Sequence, residues 1–507
     1  MNTENSPLKT TRSGVALPLR EVPVLPLEAL HNAVADGVKS QWRVSSLFAF
    51  RRDGEDAAHM MAVLADDAAS LLRVGMARIE DTRYPSLSNR CPQVHLFERE
   101  MHEQFGLVPE GHPWLKPVRY ARPFPGREPR AQNAPRIGAA DFYHVTGDSV
   151  HEVAVGPVHA GVIEPGHFRF QCHGEQVFHL EIMLGYQHRG VEEALPGGPH
   201  KRSLSHMETL AGDSSIAHGW AYCMNLEGLA GTDVPMQAQT LRGVALELER
   251  LANHTGDLGA LAGDVGYLPT MSFCGRIRGD FLNLSAAICG NRFGRGLLCP
   301  GGVRSMPNEE ETAQMIERLG AAERDVREAV NLIWSTPTVL GRFENTGTVP
   351  RKLCVELGLV GPAARACGVE ADVRVNHPCG LYERAPIRLR TAHYGDVNSR
   401  ASVRWHEMEE SLAFVREHLD TIPSGPIRQP LGALAPDHVV ATLVEGWRGE
   451  VCHVALTGSD GRFLRYKITD PSFHNWMGLA VALRGQEISD FPLCNKSFNL
   501  SYCGFDL

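Results

Sequence analysis

Leu241, Val244, Ala245, Leu248 and Leu251 recur at the three- and four-residue spacing that lines one helix face with apolar side chains. They predict a long buried helix, with Asp233 and Pro235 as its cap and first turn. A second helix is expected from Asn308 and Glu311, spaced as a capping box, with Met315, Ile316, Leu319, Val326, Val330 and Ile333 inward. Met408, Leu412, Val415 and Leu419 mark a third. Pro300, Pro337, Pro362 and Pro423 punctuate the joins, so this half of the chain reads as a helical bundle. Its edge is strand-rich, because Val177, His179 and Glu181 alternate at a period of two.

The first part of the chain has a different rhythm. Residues 1–27 mix Ser, Thr, Pro and Arg and are expected to form a flexible tail. Residues 28–120 read as a small α+β domain, with an apolar strand at Leu47–Phe50, a turn at Arg52-Asp53-Gly54, and mixed helical and extended character through Leu72. The domain closes on a helix at Val94–Phe105; with Leu96, Met101 and Phe105 inward, Glu98, Arg99, Glu100 and Glu103 are expected on a solvated face. Pro and Arg crowd residues 119–136, so 121–149 is assigned as an extended linker and 150–507 as the second domain.

Candidate chemistry concentrates between Gly156 and Tyr222, where Gly, His, Glu and Arg are dense. Glu164 and His167 flank Pro165-Gly166, a pair that presents both at a bend. Gly185 and Gly190 bracket Tyr-Gln-His-Arg in a turn before a helix. A plain hairpin with charged turn residues accounts for the same letters.

Charge and cysteine usage narrow the classes. The 507 residues carry a formal charge of -9, so no basic stripe argues for nucleic acid. No apolar run approaches the roughly 18 residues of a membrane span, and the first residues lack the apolar stretch of a signal peptide. The 12 cysteines have no two-residue spacing, which argues against an iron–sulfur cluster or zinc site in this chain and for buried apolar thiols.

The segments GPVHAGVIEPGHFRF, GYQHRGVEEAL, AHGWAY, LRGVALELERLANH, GPAARACGVEADVR, GDVNSRASVRWHEMEES, EGWRGE, DPSFHNW and NKSFNLSYCGFDL together resemble the large subunit of group-4 nickel-iron hydrogenases and its relative, the 49 kDa subunit of complex I. Glu98 to Arg119, with Gly111-His112-Pro113, resembles the complex I 30 kDa subunit, a docking module without a redox site. Both modules in one chain resemble the large subunits of formate hydrogenlyase and hydrogenase type 4 systems. The fold implied is a small α+β domain followed by a mainly helical, hydrogenase large-subunit-like bundle with a strand-rich edge.

The resemblance also implies where a nickel-iron centre would sit. Its thiolates come from Cys-Gly-x-Cys and Asp-Pro-Cys-x-x-Cys, and the matching positions here are Ala211, Ser214, Ser501 and Gly504. All four ligands are absent, Ser is too hard and too weakly acidic to replace them, and Cys494 and Cys503 do not restore the spacing. The chain also stops at Leu507, without the tail that hydrogenase precursors often lose on metal insertion. The quinone-anchoring His and Tyr of complex I are not carried over either, since Pro165 precedes Gly166 and the loop near Gly212 differs. Glu164 matches the proton-passing Glu of hydrogenases and Arg448 the Arg above their active site, although both residues equally suit structural hydrogen bonds. His167, His188 and Arg189 are expected to face the iron–sulfur partner. A hard-metal site of Asp213, His206 and His218 is the remaining alternative.

The resemblance therefore implies a subunit of a membrane-associated oxidoreductase, peripheral on the inner face of the cytoplasmic membrane. No cofactor is expected in the chain itself, and iron–sulfur clusters are expected in partners. Those partners are an iron–sulfur small subunit, a ferredoxin-like subunit and antiporter-like membrane subunits. Three functions stay open: an electron-transfer subunit lacking hydrogenase activity, a non-catalytic scaffold of the same complex, and a working group-4 hydrogenase.

Overall fold

The computed structural model describes residues 6–52, 54–124, 136–139, 141–160 and 163–507. Three antiparallel strands of nine residues, Arg43–Arg51, Ala58–Asp66 and Leu71–Ile79, form the centre of a five-stranded sheet. Their side chains alternate between two apolar layers. Leu47, Ala49, Met60, Ala62 and Leu64 point to one, together with Leu30 and Val34 of the helix Leu27–Lys39. Phe48, Phe50, Met61, Val63, Val74 and Met76 point to the other, where they meet Val439, Leu443, Cys452 and Val454 from the far end of the chain.

Those last residues belong to a second sheet, with strands His438–Gly446, Gly449–Thr457 and Phe463–Thr469. Two sheets therefore share an apolar layer, one from each half of the sequence. The segment expected to be a flexible tail contributes to both: Lys9–Thr11 and Val24–Leu25 pair with Leu71–Ile79, and Leu17–Pro18 pairs with His438–Gly446. Open sheet edges offer unpaired N–H and C=O groups, and this polar segment satisfies them although its composition resembles a tail.

The helix His95–Phe105, which begins and ends close to the expected bounds, packs against the strand Arg43–Arg51 and the helix Pro471–Ala482. Its acidic face is not solvated. Glu98, Arg99 and Glu100 are buried, because the helix is packed on both sides and its two acids find partners there. Glu98 accepts from Ser86 Oγ, Leu87 N and Ser88 N at 2.6, 2.9 and 3.0 Å. Glu100 meets Arg119 and Lys467 Nζ, the latter at 2.7 Å. The stretch expected to mix helix and strand through Leu72 is two paired strands. Asp53 and residues 125–135 and 140 of the expected turn and linker lie outside the described residues.

The bundle is built around the 29-residue helix Met236–Asp264, flanked by Leu268–Cys289, Glu309–Trp334 and Val397–Asp420. Asp233 does not cap the long helix, which starts after Pro235 without a side-chain cap. Asn308 and Glu311 form the expected capping box. Of the inward positions named from spacing, all are buried except Ile316, which packs partly buried against the same core. Inside the bundle, Arg365 bonds Glu407 and Glu445 at 2.8 and 2.7 Å, and Arg374 bonds Asp372 at 2.7 Å, an ionic lattice with none of its members exposed. A third sheet, Val150–Val155, His167–His173 and Gln176–Met183, has the predicted alternating strand at its edge.

Candidate functional site

The two segments picked out as metal-ligand positions, 211–214 and 501–504, adjoin in space although they lie nearly 300 residues apart. Three features join them. Arg189 Nη2 donates to both Leu210 O and Cys503 O, at 2.9 and 3.3 Å. Arg448 sends a bidentate pair to Asp213 at 2.6 and 2.9 Å, and its Nε to Asn499 O at 2.6 Å. The Cys503 thiol reaches the Gly212 backbone N–H.

Local sequence explains why these groups are held so firmly. Trp447 and Arg448 form the two-residue turn between Gly446 and Gly449, and Gly449 has φ +131°, a conformation that a side chain would oppose. The turn lays the Arg448 guanidinium over the Trp447 ring, 3.9 Å from its centre. Burial works against the cation, but Asp213 holds it charged well beyond its usual range. Trp447 Nε1 and Asn253 Nδ2 each donate to Asp213 O at 2.9 Å, which pins the 211–214 loop from two more directions.

Each ligand position has a definite occupant. Ala211 is fully buried, and Ser214 precedes the helix Ser215–Ala230. The start of that helix is capped from outside: Glu249 accepts from Ile216 N at 2.7 Å and Ala217 N at 3.4 Å. Ser501 caps the short helix Tyr502–Asp506, its Oγ accepting from Gly504 N at 2.9 Å. Behind Gly504 stands Asp470, so that a Cβ at 504 would lie 2.6 Å from Asp470 Oδ2.

Asp470 ends a buried polar chain. It accepts from His218 Nε2 at 3.0 Å; His218 Nδ1 faces His453 Nε2 at 3.0 Å, and His453 Nδ1 faces the Tyr466 hydroxyl at 3.0 Å. Burial keeps His453 neutral, pushing its pKa well below the ordinary value. A neutral His218 with its Nε2–H on Asp470 would have His453 donate through Nε2 and accept from Tyr466, with every proton in the chain pointing toward Asp470.

Glu164 is half-buried and accepts from the Cys503 thiol, whose pKa burial and this carboxylate raise to about 11. The thiol is therefore protonated at neutral pH. Gly166 is required by close approach, because a Cβ there would meet the Tyr502 ring at 2.6 Å.

Several expected roles are redistributed. His167 is buried rather than partner-facing, its Nδ1 toward Gly156 O and its ring against Phe142. His188 bonds Asp506 O at 2.7 Å, and exposed Arg189 spends its guanidinium on backbone carbonyls, so both tie the chain to its own C-terminal segment. Asp213, His206 and His218 do not converge. Arg448 takes the first, Asp470 and His453 take the last, and no group of three or more His, Cys, Asp or Glu among the described residues is placed to hold a metal ion. Asp470, His453, Tyr466 and Glu249 stand in the site without having been expected from residue spacing. Only Asp470 carried a local signal, the Asp-Pro pair that opens the helix Pro471–Ala482.

A small α+β unit packed on a helical large-subunit-like core is the class these features define. Two family models match it: residues 28–133 fit the respiratory-chain NADH dehydrogenase 30 kDa subunit, and residues 264–434 the 49 kDa subunit. Formate hydrogenlyase subunit 5 of Escherichia coli is 30% identical over 434 residues, covering 83% of this chain and 76% of the relative. The carbon monoxide-induced hydrogenase of Rhodospirillum rubrum is 32% identical over 353 residues, 69% of this chain and 98% of the relative. NADH-quinone oxidoreductase subunit 4 of Thermus thermophilus is 28% identical over 363 residues, 66% and 89% of the two chains. The chain belongs to the family that unites group-4 hydrogenase large subunits with the 49 kDa subunit of complex I, and it carries the 30 kDa module in the same polypeptide. Among the described residues no helix is long and apolar enough to cross a membrane.

Proposed function

We propose that this chain is the large subunit of a membrane-associated, multi-subunit oxidoreductase in which it faces an iron–sulfur partner without carrying a nickel-iron centre. The observation that carries the reading is the donor set at the four ligand positions. A methyl, two hydroxyls and a hydrogen stand there, one hydroxyl is committed to a helix cap, and a carboxylate fills the space behind Gly504. That set does not fit a metal pair that needs soft thiolates. The lone thiol nearby, Cys503, is protonated at neutral pH and held on Glu164.

Electrons would pass through clusters in the iron–sulfur and ferredoxin-like partners, and ion movement would take place in antiporter-like membrane subunits at the inner face of the membrane. The electron acceptor or donor would then be something other than hydrogen. The deciding measurement is nickel and iron in the purified intact complex, with the isolated chain as control. Iron in the complex, with nickel in neither sample, is the expected result. Stoichiometric nickel in this chain, or hydrogen evolution from a reduced dye, would return it to the working hydrogenases.

A second reading, a scaffold without chemistry, is favoured by one contact: Arg448 is fully engaged with Asp213 and Asn499 O. Glu164→Gln combined with Arg448→Lys separates the two. Unchanged turnover of the complex supports the scaffold, and a large loss supports a site that still acts.

A further inference from the structure

Away from these residues, a half-open cavity lies between the helix His95–Phe105, the loop 114–120, the strand Gln176–Met183 and the helix Pro471–Ala482. Leu96, Leu180, Met183, Trp476, Met477 and Phe505 give it apolar walls. Its charged lining side chains are Arg99, Lys116 and Glu181. Lys116 Nζ bonds Glu181 Oε1 at 2.7 Å, and the other Glu181 oxygen accepts from Tyr143 N at 2.9 Å, so this pair is satisfied.

Arg99 is not. It is only 9% exposed, and Nε and Nη2 donate to the carbonyls of Lys116 and Pro117 at 2.7 and 2.8 Å. Its guanidinium lies 5.2 Å from the Trp114 ring centre. Among the described residues Nη1 has no hydrogen-bond partner and no carboxylate is bonded to the guanidinium. Glu103 contributes field at Arg99, but its oxygens are taken by the N–H groups of Val118, Arg119 and Ala121. Burial drives the Arg99 pKa down to about 10, the behaviour of a cation short of a counter-charge. His95 also lines the cavity with neither ring nitrogen engaged among the described residues, and burial keeps it neutral, with a pKa of about 3. Two cations against one carboxylate leave the lining one positive charge in excess.

We propose that this cavity binds a small amphipathic monocarboxylate, with its apolar body between Trp476, Met183 and Met477 and its carboxylate on Arg99 Nη1 and a ring N–H of His95. The excess of one charge selects a monoanion over a phosphate, which carries closer to two. The apolar walls select a chain or ring over a bare anion. The site joins the helix His95–Phe105 to the strand Gln176–Met183, so a ligand there would bridge the two halves of the chain. It is independent of the electron-transfer reading above.

Calorimetric titration of the full chain with octanoate, 1-octanol and octyl phosphate tests it. Octanoate is expected to saturate at one site per chain, with octanol at least about tenfold weaker because it forms no charge-assisted bond to Arg99. Arg99→Met, with its folding checked by circular dichroism, should bring octanoate down to the level of octanol. No saturable octanoate binding would overturn the site, as would octanol binding equally well. Tighter octyl phosphate would overturn the charge assignment.

Discussion

A Cβ built on Gly504 stands 2.6 Å from Asp470 Oδ2 and 2.9 Å from Ser501 Oγ, and neither can step aside cheaply. Asp470 is held by His218 and by Ser472 N at 2.7 Å, and Ser501 Oγ is the cap of the last helix. Gly504→Cys is therefore expected to cost about 1–3 kcal/mol, the usual penalty for overpacking, read as a lower thermal midpoint. Asp470→Ala in the same chain should recover part of that loss; strict additivity of the two would show that the groups do not compete for space. A second residue-scale prediction concerns Glu249, whose carboxyl burial pushes up to about 8 against the pull of two backbone N–H groups. An unfolded Glu titrates near ~4.3, so between the two values the folded chain keeps a proton that the unfolded chain has released. This contribution weakens folding as pH rises through that window. Glu249→Gln should flatten the fall of the thermal midpoint between about pH 5 and 8, and an unchanged slope would count against the assignment.

At the scale of elements, the helix His95–Phe105 shows what a charged face can conceal. Its position was legible from its apolar stripe, but its environment was not, because the partners of its acids are remote in sequence. Lys467, which bonds Glu100, lies 367 residues away. Removing one member of such a buried cluster strands the others: Glu100→Gln should cost about 3 kcal/mol or more, far beyond a surface substitution. Glu310→Gln, on the exposed first turn of Glu309–Trp334, is the control and should leave the thermal midpoint within about a degree. The same logic separates legible from illegible parts of the candidate site. The segments 211–214 and 501–504 could be named from motif letters, and Arg448 from its Glu-Gly-Trp-Arg setting. Asp470, His218, His453 and Tyr466 could not be joined, since their chain forms only where a helix, a helix cap and two strands converge. The carbonyls that engage His167, His188 and Arg189 belong to other segments, so these bonds could not be read from the local letters.

Over the whole molecule, the two halves are joined by an apolar layer and by an ionic seam. Phe48, Met61 and Val74 face Leu443, Cys452 and Val454 in the layer. In the seam, Arg43 bonds Asp67 at 2.6 and 2.7 Å while His377 reaches the same carboxylate at 3.0 Å. Lys467, held by Glu192 at 2.9 Å beside Arg465 at 2.7 Å, reaches across to Glu100 at 2.7 Å. Burial opposes ionisation of Asp67 and Glu192, but Arg43 and His377 in one case, and Lys467 and Arg465 in the other, hold both carboxyls well below their usual range. A depressed folded pKa contributes stability that is complete above the unfolded value, about 4, and is lost as pH falls below it toward the folded value. The layer does not titrate, so acid should weaken the seam first. Scanning calorimetry is expected to give one endotherm at pH 7, where seam and layer couple the halves, and two near pH 3, with Asp67→Asn shifting the split toward neutral pH. Two endotherms already at pH 7 would mean that the halves unfold independently and that the seam contributes little to their union.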